Sequence, residues 1–123
     1  MDGGFMDKRN IGKEKEELAA RFLQSQGIKI MERNFSCRLG EVDLIGWDSG
    51  YLVFFEVKYR KDTKAGYPQE AVSKYKKRKI SLVSGYYRML KNYGDNIPVR
   101  FDVVSILGNR IRWDKDAFCD YGL

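Results

Sequence analysis

Histidine is absent from the 123 residues, and that absence excludes more chemistry than any other feature of the composition. Serine or cysteine triads built on imidazole, HExxH zinc sites and histidine-metal nucleases all need it. Acid–base work would fall to carboxylates, lysine, tyrosine or metal-bound water. Cysteine occurs twice, as Cys37 and Cys119, with no CxxC spacing, so neither a disulfide framework nor a zinc site is expected and a reducing, cytoplasmic setting fits best. No apolar run approaches the roughly 20 residues needed to span a bilayer, and no membrane partner is expected. Residues 1–10 lack the continuous apolar stretch of a secretory signal and read as a flexible arm ahead of a single domain over residues 11–123.

Hydrophobic residues make up 43% of the chain and aromatics 14%, enough for one domain with a core. The net charge of +6 is concentrated: residues 57–79 hold nine basic residues (Lys58, Arg60, Lys61, Lys64, Lys74, Lys76, Lys77, Arg78, Lys79) against Asp62 and Glu70, which gives +7 there and −1 elsewhere. A run of this kind raises the local concentration of a polyanion, although taken alone it is more often a solvated helix face.

Apolar positions at Ile11, Leu18, Ala19, Phe22 and Leu23 recur at three and four and predict an amphipathic helix, capped by Asn10 and closed by Gly27. A strand follows over residues 28–35. Residues 41–58 predict a hairpin, and after a loop through Gly66 and Pro68 a second helix is expected over residues 69–92. Its apolar stripe would be Val72, Tyr75, Lys79 (through its stem), Val83, Tyr86 and Leu90. Gly85 within it suggests close packing against a neighbour. Residues 98–107 read as a strand buried on both faces, and residues 111–113 as a short last one. The pattern α-β-β-β-α-β predicts an α/β fold with one mixed sheet flanked by helices.

The hairpin carries the chemistry. If Trp47 pairs with Leu52 around Asp48-Ser49-Gly50-Tyr51, counting outward sets Asp43 opposite Glu56, and Lys58 shares their face because strand side chains alternate. Like charges facing across a strand pair are destabilising unless a cation lies between them. A divalent metal is the simplest way to hydrolyse a phosphodiester without histidine, and Mg2+ (or Mn2+) is content with one or two carboxylates, a backbone carbonyl and a phosphate oxygen. Asp43, Glu56 and the carbonyl of Val57 supply such a set, and Lys58 would hold the attacking water or the phosphate. Without chemistry, the same residues are a surface ion triad of little consequence.

Asp43, twelve residues, then Glu56-Val57-Lys58 resembles the PD-(D/E)xK signature of restriction-endonuclease-like enzymes, among them Holliday-junction resolvases. The literal proline is missing, since Val42 precedes Asp43. A wider match covers Gly12-Lys-Glu-Lys-Glu16-Glu-Leu-Ala19, Arg33-Asn34, Gly40-Glu-Val-Asp-Leu-Ile45, residues 53–60, 66–72, Lys76 and Arg100-Phe-Asp-Val-Val104. It is similar to the YraN-like family of small bacterial proteins, which implies a restriction-endonuclease-like fold. The resemblance adds Glu16 to Asp43, Glu56 and Lys58. Glu16 lies at the margin of the first helix's apolar face, and its plainer role is a helix-start acid favoured by the macrodipole.

Arg60 and Lys76, with Lys74 and Lys79 beside them, are the expected phosphate contacts, and Gln69 and Glu70 are accessory candidates, although Glu70 equally suits a helix-start cap. Tyr59, Tyr67 and Tyr75 interleave with the basic residues and could stack on unpaired bases. Asp102 reads as a structural acceptor. The leading function is a metal-dependent endonuclease whose substrate the resemblance implies to be structured or branched DNA rather than RNA, with a homodimer needed if a four-way junction is resolved. The rivals are a non-catalytic nucleic-acid-binding module with a structural ion triad, and a protein adaptor using Tyr86, Tyr87 and Tyr93.

Overall fold

The computed structural model describes residues 8–119. The expected arm falls mostly outside them, and the helix already begins at Lys8. Helix α1 (Lys8–Ser25) leads into β1 (Lys29–Cys37), β2 (Gly40–Asp48) and β3 (Tyr51–Arg60), and a 3-10 turn (Pro68–Ala71) precedes α2 (Lys74–Leu90), β4 (Val99–Leu107) and β5 (Arg110–Asp114). The five strands form one sheet in sequence order. All neighbours are antiparallel except β3 and β4, which pair in parallel from Leu52↔Val99 to Arg60↔Leu107. That parallel pair requires a crossover, and α2 provides it. The chain therefore has the α/β class and mixed sheet expected from its patterning, with the restriction-endonuclease-like element order extended by β5.

Each face of the sheet buries one helix. Ala19, Ala20 and Leu23 of α1 pack on Leu44, Val53, Phe55, Val104 and Ile106. On the other face Ile80, Val83 and Tyr87 of α2 pack on Val42, Ile45, Leu52, Phe54, Phe101 and Val103. The alternation 52/54 and 53/55 on β3 sends successive side chains to opposite helices, which fixes the register, since a slip of one residue would invert every one of them. The β2–β3 turn reinforces it: Ser49 and Gly50 have φ of 50° and 92°, the left-handed pair of a two-residue hairpin turn.

The second helix departs from expectation in start and in phase. Pro68 opens a single 3-10 turn, Val72 is extended, and α2 starts afresh where the Ser73 hydroxyl accepts from the Lys76 N–H at 3.1 Å. The buried stripe is Ile80, Ser81, Val83, Ser84 and Tyr87, so Tyr75 (71% exposed) and Leu90 point away from the core. Two small serines bring the helix close to the sheet, and Tyr87 enters the core because its hydroxyl donates to Glu32 at 3.0 Å. Tyr87 is thus unavailable for docking a partner, contrary to its grouping with Tyr86 and Tyr93. The close packing expected at Gly85 is also absent: a Cβ built there meets nothing within 4 Å.

Asp102 is the polar anchor of the sheet. Fully buried on β4, it accepts from Arg100 Nε (2.9 Å) and Nη2 (2.8 Å), Trp113 Nε1 (2.9 Å) and the Asp116 N–H (2.9 Å). Arg100 also reaches Asp48 at 2.7 Å, which ties the hairpin turn to β4. The structural role expected for Asp102 is the one it performs.

Replacing Asp102 with Ala strands the Arg100 guanidinium and the indole N–H, and should cost about 3–5 kcal/mol in urea unfolding, with Asp102→Asn milder. Gly85→Ala should instead stabilise by about 0.5–1 kcal/mol in the same assay, because the site is open and helical.

Candidate active site

Trp47 pairs with Leu52, and the ladder then runs outward through Gly46↔Val53 and Ile45↔Phe54 to Leu44↔Phe55, where β2–β3 pairing stops. Asp43 and Glu56 come next in that register, as the sequence predicts, but no backbone pair joins them. The Asp43 carboxylate instead accepts the Val57 N–H at 2.7 Å, so a side chain takes over the bond that a backbone carbonyl would have made. In an extended strand the N–H and C=O of one residue point to the same side. The Val57 carbonyl therefore faces the gap that β2 has left.

Acids enter this gap from both faces of the sheet. Glu16 arrives on α1 and Glu56 on the α2 face of β3, and each lies within hydrogen-bonding reach of Asp43. Glu56 is 2% exposed. Burial, then the Asp43 charge, pushes its carboxyl up to about 8 against the opposing pull of Lys76 and Lys58. Burial and then Asp43 likewise push Glu16 up to about 7, although a hydrogen bond from Asn34 favours its charged form. Lys58 Nζ lies 3.4 Å and Lys76 Nζ 3.6 Å from Glu56 Oε2, while Oε1, equally buried, has no partner among the described residues.

The four residues expected to act together, Glu16, Asp43, Glu56 and Lys58, are brought together. Lys76, expected on phosphate, turns inward to Glu56. Asn34, part of the wider family match but given no role from the sequence, stands in the left-handed region at φ 54° on β1, a conformation asparagine tolerates. Lys74 is exposed on the first turn of α2, and Lys79 lies 5.7 Å from the Tyr75 ring. Glu70 Oε1 accepts the Tyr67 N–H at 3.2 Å, a cap on the 3-10 turn. Gln69 lines depressions with Lys77 and Phe118 and with Ser105 and Arg112, away from the acids. Arg60 sits in a cleft of about 380 Å³ with Gly12, Lys15, Glu16, Val57, Lys58, Tyr59 and Ala71.

Among the described residues no three histidine, cysteine or acidic side chains are grouped as a metal cage. Asp43, Glu56 and the Val57 carbonyl make a smaller set, of the kind magnesium takes while keeping several waters. The unpartnered Glu56 Oε1 fits that role, since a buried carboxylate oxygen without a donor lacks what a cation would give it.

The chain belongs to the uncharacterised protein family UPF0102, the YraN-like family, whose sequence pattern matches residues 15–106. A UPF0102 protein of Lachnoclostridium phytofermentans is 44% identical over 117 residues, which is 95% of this chain and 99% of that one. One from Caldicellulosiruptor saccharolyticus is 42% identical over 104 residues (85% and 87%), and one from Fusobacterium nucleatum 40% identical over 111 (90% and 92%). No helix of the described residues is long and apolar enough to cross a membrane.

A carboxyl raised from 4.5 to about 8 binds its proton more tightly in the folded state, so its linkage term lowers stability as pH rises across that interval. In EDTA, the unfolding midpoint of the wild type should therefore drop between about pH 5 and about pH 8.5 relative to Glu56→Gln, whose profile should be flatter. Parallel profiles would mean that Glu56 titrates normally.

Proposed function

We propose that this member of UPF0102 is a metal-dependent endonuclease that hydrolyses phosphodiester bonds in nucleic acid, with structured or branched DNA as its substrate. The observation that carries the reading is the state of Glu56: almost fully buried, beside a second acid, with one oxygen unpartnered although two lysines stand near the other. An ion triad serving stability alone would hold its acid charged, at or below the ordinary carboxylate range. Here Glu56 remains raised in spite of both lysines, which is the arrangement of a site short of positive charge.

Asp43, Glu56 and the carbonyl of Val57 are the residues that would hold Mg2+ or Mn2+. Such an ion, when bound, supplies charge neutralisation at the phosphate and a more acidic water. Asp43 is held in place by the Val57 N–H, so its carboxylate is oriented before any ligand arrives. Lys58 reaches the same gap, where it can position a water or steady charge on a phosphate oxygen. Glu16, raised to about 7 and entering from the opposite face, is present in both forms near neutral pH and can accept or return a proton at the edge of the gap. The +7 of residues 57–79 draws a polyanion to this side.

The ion pairs from Lys58 and Lys76 to Glu56 favour a second reading, a nucleic-acid-binding module in which these acids are structural. Cleavage assays on linear, single-stranded, branched and flapped substrates separate the two. With Mg2+ or Mn2+ the wild type should nick at least one of them, and Asp43→Asn or Glu56→Gln should lower the rate at least about 10²-fold with melting temperature retained. Glu70→Gln, at the cap of the 3-10 turn, should cut normally. Binding without cutting on every substrate would move the chain to the second class.

A further inference from the structure

We propose that the cleft between α1 and the end of β3 is a second phosphate site, in which Arg60 and Lys15 take the phosphate next to the one that is cut. The proposal rests on the nuclease reading of the adjoining acids. Gly12, Lys15 and Glu16 fall at i, i+3 and i+4, so one stripe of α1 sends Glu16 into the acid cluster and Lys15 into the cleft. Opposite them, Val57 and Lys58 belong to both places, and Tyr59 and Arg60 continue the wall. The cleft is thus continuous with the acids and extends one step along β3 from them.

Two of its cations, Arg60 and Lys15, are not spent on acids of the fold as several others are. Lys58 and Lys76 are paired with Glu56, Arg21 and Arg33 with Glu17, Arg100 with Asp48 and Asp102, and Arg112 with Asp114. Among the described residues neither Arg60 nor Lys15 has an acid partner. Lys15 Nζ is held 4.6 Å above the Tyr59 ring, a contact that fixes the ammonium and leaves its N–H donors for another acceptor. Arg60 Nε is buried with no hydrogen-bond partner, and a buried donor in that state is short of an acceptor. At about 380 Å³ the cleft has room for a nucleotide's phosphate and sugar, at the small end of the roughly 300–1,000 Å³ of ligand sites. A guanidinium fork beside an ammonium is the donor set that phosphate prefers.

The test is anisotropy with a 3′-labelled single-stranded deoxyoligonucleotide in EDTA, read as the dependence of affinity on salt. Arg60→Gln and Lys15→Gln should each weaken binding about tenfold at low salt and reduce the slope by about one. Arg60→Lys should restore the slope, and Lys115→Gln, on the opposite edge, should leave it unchanged. Thermal melts identify any variant that fails to fold, and Lys15→Gln tests the site independently of Arg60. Oligonucleotides with and without a 5′-phosphate distinguish a terminal monoester from an internal diester as the occupant. Cleavage by the wild type with both slopes unchanged would overturn the phosphate site and spare the nuclease. Reduced slopes with no cleavage of any substrate would retain a phosphate site and overturn both the nuclease and the neighbour to a cut bond. Absence of binding by the wild type would overturn the site outright.

Discussion

The bond from the Val57 N–H to Asp43 is the interaction on which the rest of this structure depends. A backbone donor inside a sheet must find an acceptor, and by answering it with a side chain the chain is able to end the β2–β3 ladder at Leu44↔Phe55 without leaving that donor empty. The strands then part, a carbonyl is uncovered, and acids from both faces of the sheet meet at the opening. Had the ladder continued, the Val57 carbonyl would be spent on β2 and the two helices would be separated by an unbroken sheet.

Much of this was legible in the sequence, because two of its signals are rigid. The Ser49-Gly50 turn fixes which residues face each other, and strand alternation fixes which face each takes; together they put Asp43, Glu56 and Lys58 in one place. Periodicity was weaker where aromatics lie on several sides of a helix. Tyr75, Tyr86 and Tyr87 offer equivalent apolar surface; the Ser73 cap sets where α2 starts, and its phase is tied to the Tyr87–Glu32 bond, whose partner is remote in sequence. Spacing could not report where a ladder stops, nor that Asn34 would stand in the left-handed region and hydrogen-bond to Glu16. For the same reason Lys76 is expected on phosphate and not on Glu56: that ion pair exists only after the crossover has laid α2 across the sheet.

Charge is sorted by depth as well as by position. Asp102 takes four donors and is fully satisfied, so its burial strengthens the sheet and binds the hairpin turn to β4 through Arg100 and Asp48. Glu56, buried to a similar degree, keeps an oxygen without a donor. Two acids on neighbouring strands of one sheet thus do opposite work, one closing a network and the other leaving it open toward a cleft lined with cations. Rigidity around Asp102 also holds β3 and β4 in line, which keeps the open site in shape.

Gly46 shows how little separates this geometry from another. A Cβ at that position would lie 2.8 Å from the carbonyl oxygen of Lys29 and 2.9 Å from Ile28 Cγ2, so the connection leaving α1 crosses β2 only because nothing projects from it. A single methyl there would press on the Lys29 backbone and the Ile28 side chain, the residues through which the chain passes from α1 into β1. The seam between helix and sheet thus tolerates a hydrogen atom at this position and nothing larger.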